Sequence, residues 1–166
     1  KNPLYDALLK SAESIGYSIN KDYNGPNQEG IAKIQATILN GRRMSTDYCY
    51  LKPALKRSNL NIITEAMTEK LIIDNNQCTG VIYKKNNQIF KTLCNKEVIL
   101  SAGAIASPQI LELSGIGNPE ILNINGIAVK HSLPAVGENF QDHFMARLQW
   151  KLKDKKTSYN YKGRGI

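Results

Sequence analysis

The chain has 166 residues and a hydrophobic content of 42%, which is typical of a folded protein with one core of ordinary size. Its net charge of +8 comes partly from lysines after Trp150, but no basic helix face or aromatic array accompanies them, so we expect a solvated surface and no nucleic-acid partner. No apolar run approaches the roughly 20 residues of a membrane-spanning helix, so we predict no membrane span.

The first forty residues predict a helix, a strand and a turn. Asn2 and Pro3 suit a helix cap and first turn, and Gly16 suits the end of the helix. The apolar positions that repeat between them at helical spacing are Leu4, Leu8, Ala12 and Ile15. Alternating apolar and polar side chains then predict a half-buried strand over 34–38, and Asn40–Gly41 predicts a turn.

Short elements follow in the middle of the chain. Ser45 or Thr46 can cap a short helix that Pro53 breaks or restarts, and the apolar run 60–63 predicts a strand. Three further apolar runs joined by polar turns predict a meander over 67–73, 81–83 and 89–93.

The segment after residue 97 has the order expected of an α/β unit. The apolar run 98–100 predicts a buried, parallel strand, and small residues follow it at 101–104. Helices are predicted over 108–113, opened by Ser107, and over 119–124, with a short strand over 127–129. A strand that ends in small residues allows its backbone to approach a ligand closely.

These elements indicate an α/β fold that lacks one expected part. No Gly-x-Gly-x-x-Gly follows any predicted strand, although a dinucleotide-binding fold needs such a strand–turn–helix unit to hold the pyrophosphate. The chain begins with Lys1 and has no charged-then-apolar leader, so we expect a mature, processed or partial chain.

Candidates for metal binding or acid–base chemistry are few. The three cysteines fit no metal motif, so we predict no metal site and expect them to pack as small apolar residues. His143, beside Asp142, is predicted to be a hydrogen-bonded structural histidine, and His131 is predicted to be exposed at the surface.

The run of residues 101–117 resembles the second sequence pattern of the glucose-methanol-choline (GMC) flavoprotein oxidoreductases. Every constrained position of that pattern matches, at Gly103, Ala104, Ser107, Pro108, Ile110, Leu111, Ser114, Gly115, Ile116 and Gly117. Upstream, Tyr50-Leu51-Lys52-Pro53 resembles the family's Tyr-Leu-x-Pro helix, and the segment 136–143 resembles its Val-Gly-Glu-Asn-Leu-Gln-Asp-His. The likeness runs from Leu4 to about Arg147 and is strongest to insect glucose-dehydrogenase-like members.

The resemblance implies an interior fragment of a longer enzyme, namely an incomplete Rossmann-like part of an FAD-binding domain with segments of the substrate or cap domain. Residues 1–58 are expected on the cap side, 59–130 in the FAD-binding domain and 131–166 at the start of a substrate-domain segment. The nucleotide-binding fingerprint would precede Lys1, and the paired catalytic His-His or His-Asn would follow Ile166. No catalytic residue is therefore expected in this chain.

The family's activity is the oxidation of alcohols with FAD as the cofactor. A base takes the hydroxyl proton, and the substrate carbon gives a hydride to the flavin. The resemblance implies a small alcohol or sugar substrate, leaves quinone or oxygen open as the electron acceptor, and suggests an extracellular location. The alternative is a non-catalytic, truncated or degenerate homologue that binds partners without flavin.

Four residues are candidates for contact with FAD. Thr68 replaces a Val that in relatives contacts the adenine through backbone groups, and an ordinary strand role is equally open. Gly103 is expected beside the cofactor, whereas close cofactor approach and dense helix–strand packing are alternatives for Ser101 and Ala102. Glu112 replaces the Met common in relatives and is expected to face solvent.

Overall fold

The computed structural model describes residues 3–154 and residue 158. Contacts divide the chain into two units, one of Lys1–Leu60 with Ala146–Ile166 and one of Asn61–Met145. The predicted roles of 1–58, 59–130 and 131–166 as cap, FAD-binding and substrate-side segments remain predictions.

Helix α1 (Pro3–Ser14) opens the first unit, as the apolar spacing predicted. Ala12 is its buried residue, and the chain leaves the helix at Gly16, whose φ of +94° suits glycine. The Tyr17 N–H donates to the Ala12 carbonyl at 3.0 Å and so closes the helix end. The predicted cap residue Asn2 lies outside the described residues.

A small hairpin follows in the same unit, formed by β1 (Ile38–Leu39) and β2 (Arg42–Arg43) in antiparallel pairing. Its turn is the predicted Asn40–Gly41. Both turn residues have positive φ, 50° and 72°, as a type I′ hairpin turn requires.

The strand predicted over 34–38 is wrong apart from Ile38. Ile34 is 91% exposed, and residues 34–37 lie in no strand. The Gln35 N–H donates to the Tyr23 hydroxyl at 3.0 Å, so a side chain takes the place that a neighbouring strand would occupy. Alternation predicts the face that each side chain takes, but a strand also needs a backbone partner.

The short helix predicted after Ser45 is present, and its first part is a π-helix, which is wider than an α-helix. A π-helical turn (Asp47–Leu51) leads directly into α2 (Lys52–Ala54). The Ser45 hydroxyl accepts from the Tyr48 N–H at 3.3 Å, so Ser45 caps this element. Pro53 lies in the first turn of α2, directly after the π-helical turn, and has no N–H to give to a carbonyl of that turn.

The second unit contains an antiparallel three-stranded sheet with its strands in chain order. The strands are β3 (Met67–Asp74), β4 (Gln77–Lys85) and β5 (Gln88–Leu93). Each connection is a two-residue turn, Asn75–Asn76 and then Asn86–Asn87, and all four asparagines have φ between 47° and 62°. These are type I′ turns, and the predicted meander is confirmed.

Two helices follow the sheet, α3 (Gly103–Leu113) and α4 (Pro119–Ile124). Helix α4 has its predicted bounds, and the Asn118 side chain caps it by accepting from the Glu120 N–H at 3.0 Å. Helix α3 begins five residues before its predicted start at residue 108. No helix in the described part of the chain is both long enough and apolar enough to cross a membrane.

The strands predicted over 60–63, 98–100 and 127–129 are wrong, because these residues lie in no strand. Ile99 is 78% exposed rather than buried. An apolar run forms a buried parallel strand only between flanking strands, and the described part of this unit supplies none beside it. Parallel pairing instead joins β6 (Ile116–Gly117) to β7 (His131–Ser132).

The core of the second unit is small and is built from β3, α3, α4 and the loop after β7. Its buried apolar side chains are Leu71, Ile110, Leu122 and Val136. Leu122 is the most deeply buried of them, at 1% exposure. Ser114, directly after α3, is buried among them at 4% exposure and links the helix to the sheet.

Candidate functional site

Ser101 and Ala102 connect the irregular segment 98–100 to helix α3, which Gly103 begins. All three residues are exposed, and Gly103 is the first residue of the helix with a φ of +94°. A Cβ atom added to Gly103 would meet no further atom within 4 Å, so space is open on that side of the turn. The turn therefore allows close approach to the start of α3.

Ser107 lies in the second turn of α3 and not before the helix, so its predicted position is wrong. Gly103 readily adopts a positive φ, which turns the chain into the helix five residues before the predicted start at residue 108. Ser107 still bonds to the helix start, because its Oγ accepts from the Ala102 N–H at 3.1 Å. Pro108 follows inside the helix and has no N–H to give to the Ala104 carbonyl.

The start of α3 has backbone donors without a partner in the helix. No side chain caps the helix at Ala102, so the N–H groups of the first turn have no acceptor within the helix. The positive end of the dipole of this 11-residue helix lies at the same place. Phosphate and ribose oxygens suit such donors, so the residues present fit the phosphate- and ribose-bearing part of FAD.

Thr68 lies near the start of β3 and is half-buried. Strand β3 contacts the end of helix α3, because the Leu71 N–H donates to Ser114 Oγ at 2.7 Å, directly after the helix. The contacts of Thr68 and of residues 101–103 with FAD remain predictions.

Neither histidine has the surroundings of a catalytic base. His143 is exposed, and its backbone N–H, not its imidazole, donates to Asp142 Oδ1 at 2.8 Å. His131 is exposed on β7, as predicted. Among the described residues, no cluster of three or more histidine, cysteine or acidic side chains could hold a metal ion, and the cysteines are free.

Glu112 is half-buried, so the prediction that it faces solvent is wrong. Its side chain fills the space beside Gly117 and Gly137, where added Cβ atoms would come within 3.2 and 3.4 Å of it. Because neither glycine has a side chain, the Glu112 side chain on α3 can occupy the space beside them. Sequence spacing along α3 does not show that a distant loop passes over this position.

The buried hydrogen bonds of Ser114 were not predicted from the sequence. Its Oγ accepts from the Leu71 N–H at 2.7 Å and donates to the Ile110 carbonyl at 2.5 Å. The available signal was a serine between the apolar end of a helix and Ile116, a setting in which a polar group needs buried partners. The partner on β3 is 43 residues away, which no local pattern predicts.

The sequence matches the model of the GMC oxidoreductase family over residues 1–145. Two similar curated proteins are oxygen-dependent choline dehydrogenases, 45% identical over 149 residues in Photobacterium profundum and 46% identical over 153 residues in Staphylococcus saprophyticus. The matches cover 90% and 92% of this chain but 26% and 27% of those proteins, so the chain spans about a quarter of their length. These names give no support to the predicted likeness to glucose dehydrogenases.

Solved structures with a similar fold are also flavoenzymes. An FAD-dependent oxidoreductase from Chaetomium thermophilum has a TM-score of 0.75 and 28% identity, over 80% of this chain and 24% of that one. Pyridoxine 4-oxidase from Mesorbium loti has a TM-score of 0.74 and 26% identity, over 80% and 26%. The predicted family resemblance, the incomplete FAD-binding α/β fold and FAD as the cofactor are confirmed by these matches.

Proposed function

The chain belongs to the GMC oxidoreductase family, and from that premise we propose that it is an interior segment of an FAD-dependent enzyme that oxidises the CH–OH group of a small alcohol. The observation that carries the proposal is the open turn at Ser101–Gly103, which exposes the backbone donors of α3. The activity is proposed for the intact polypeptide, because this chain spans about a quarter of the length of its relatives.

The proposed task of this segment is to bind and orient the cofactor. FAD, when bound, takes up the hydride that leaves the alcohol carbon. Backbone N–H groups at the start of α3 hold an oxygen-bearing part of FAD, and Gly103 keeps side-chain bulk away from it. Backbone groups of Thr68 contact the adenine. No residue of this chain is assigned to the removal of the hydroxyl proton.

Choline or a similar amino alcohol is the proposed substrate. The support is the identity of 45% and 46% with oxygen-dependent choline dehydrogenases. Glucose, suggested by the likeness to insect members, is the alternative substrate. Oxygen is the proposed electron acceptor on the same support, with a quinone as the alternative.

Three parts of the proposal rest on the resemblance alone. These are the extracellular location, the assignment of 1–58 and 131–166 to substrate-side segments, and the exclusion of a non-catalytic homologue. A leader peptide in the full reading frame tests the location. Crystallography of the intact polypeptide with FAD tests the assignment of segments.

The activity is tested on the purified intact polypeptide. Flavin absorbance after desalting shows whether FAD is retained, and reduction of an artificial dye is then followed with choline, glucose and a simple primary alcohol. The proposal predicts a yellow protein that reduces dye fastest with choline. A flavin-loaded protein that prefers glucose contradicts the proposed substrate, and a folded protein without flavin favours the non-catalytic homologue.

A further inference from the structure

We propose that Ser107 is a positioning residue for the FAD-binding turn, a role that rests on the proposed function of Ser101–Gly103. Its Oγ accepts from the Ala102 N–H at 3.1 Å and so connects the second turn of α3 to the residue that precedes the helix. This bond fixes the direction in which the first N–H groups of α3 point. Ser107 itself does not contact the cofactor.

The turn at Ser101–Gly103 needs this hydrogen bond because its own residues do little to fix its backbone conformation. Ala102, at the N-cap position, has φ −85° and ψ 2°, whereas Asn118 at the start of α4 has the extended backbone of a usual N-cap and caps with its own side chain. Ala102 has no polar side chain, and Gly103 is the most conformationally free residue type. The Ser107 hydroxyl is thus the side-chain group that holds the turn in the described structure.

The bond also differs from the usual behaviour of a helical serine. A serine in or at the end of a helix commonly donates its hydroxyl to the carbonyl four residues earlier, and Ser114, directly after α3, does so toward Ile110. Ser107 instead accepts from an N–H five residues earlier, outside the helix. Ser107 thus takes the Ala102 donor, and the N–H groups that follow in the first turn of α3 have no acceptor within the helix.

A neutral hydroxyl suits this task better than a carboxylate would. A carboxylate at residue 107 could accept the same N–H, but it would place a negative charge beside a phosphate-bearing ligand. The hydroxyl fixes the backbone and leaves the positive end of the helix dipole uncompensated. Threonine carries the same acceptor and should replace serine here, whereas alanine should not.

The test uses the intact polypeptide in four variants, Ser107→Ala, Ser107→Thr, Gly103→Leu and the control Ser14→Ala. Ser14 is an exposed helical serine whose hydroxyl also bonds to the backbone, at 2.7 Å from the Ser11 carbonyl. Each protein is stripped of flavin and titrated with FAD by fluorescence quenching. The melting temperature of each apoprotein, and hydrogen exchange of a peptide covering residues 98–106, are measured in parallel.

Loss of one hydrogen bond should weaken FAD binding of Ser107→Ala by about two- to tenfold, with faster exchange at the turn and an unchanged apoprotein melting temperature. Ser107→Thr and Ser14→Ala should bind FAD like the parent protein. An unchanged FAD Kd in Ser107→Ala, or a failure of threonine to restore binding, overturns the positioning role. If Gly103→Leu binds FAD normally, the proposed site itself is wrong; if only Gly103→Leu loses FAD, the site stands and the role of Ser107 falls.

Discussion

Replacing Ser114 with alanine tests how the second unit joins its sheet to its helix. Ser114 Oγ bonds to the Leu71 N–H of β3 and to the Ile110 carbonyl of α3, and the residue is 4% exposed. In the alanine variant the Ile110 carbonyl keeps the Ser114 N–H as a donor at 3.1 Å. The Leu71 N–H, on the side of β3 that has no neighbouring strand, stays buried without an acceptor.

A buried N–H without an acceptor costs about 1–3 kcal/mol, which corresponds to a factor of about 5 to 150 in an opening equilibrium. Hydrogen–deuterium exchange of the intact polypeptide, measured on a peptide covering β3, should show protection reduced by that factor. Local exchange is the suitable assay because a protein of several domains does not unfold in one two-state step.

The control for this experiment is Ser14→Ala, in which an exposed serine hydroxyl at the end of α1 loses its bond to the Ser11 carbonyl. An exposed change of this kind should cost less than about 0.5 kcal/mol, and β3 should keep its protection. Equal protection of β3 in Ser114→Ala and in the parent protein would refute the claim that Ser114 ties α3 to the sheet.

Gly80→Ala should cost about 3 kcal/mol and loosen β4 from β5, because an added Cβ would overlap the Thr92 carbonyl. Gly126→Ala is the control, since its φ of +70° strains the backbone after α4 but its Cβ meets no atom within 4 Å; equal hydrogen exchange of β5 in both variants would argue against the contact at Gly80. In the intact polypeptide Thr68→Val should keep full flavin content, since another β-branched residue preserves the strand. Thr68→Pro should lower both folding and flavin content, because it removes a backbone N–H. A Thr68→Val protein that is folded by circular dichroism but lacks flavin would show that the Thr68 hydroxyl is needed for FAD binding. The isolated 166-residue chain should aggregate, melt without a sharp transition and retain no FAD, because many of its large apolar side chains are exposed. A monodisperse, yellow preparation is the contrary result.

Local signals predicted the parts of the fold that local interactions form. Two asparagines in sequence are enough to make each type I′ turn of the meander, and Asn118 with Pro119 is enough to start α4. The family pattern likewise placed the small residues 101–103 at a turn before a helix. These elements need no partner from elsewhere in the chain.

Most of the failures concern contacts made over long distances in the sequence, and the start of α3 is a local failure. The apolar run 98–100 has the composition of a buried strand, but strand formation depends on neighbours that its own residues do not specify. The start of α3 was placed at a proline and a serine, although Gly103 can begin a helix through its positive φ. The Leu71–Ser114 bond and the position of Glu112 depend on tertiary packing that periodicity does not encode.

The flavin content of Gly103→Leu, compared with Gly126→Leu in the intact polypeptide, tests most directly whether this segment contacts FAD. Both glycines have positive φ, +94° and +70°, and neither has an atom within 4 Å of an added Cβ, so both substitutions strain the backbone without a Cβ clash. Only residue 103 lies at the proposed site. The account predicts that Gly126→Leu keeps its flavin and that Gly103→Leu loses most of it, as measured by the flavin-to-protein absorbance ratio of the folded proteins. An equal ratio in the two variants would contradict the assignment of the α3 turn to FAD.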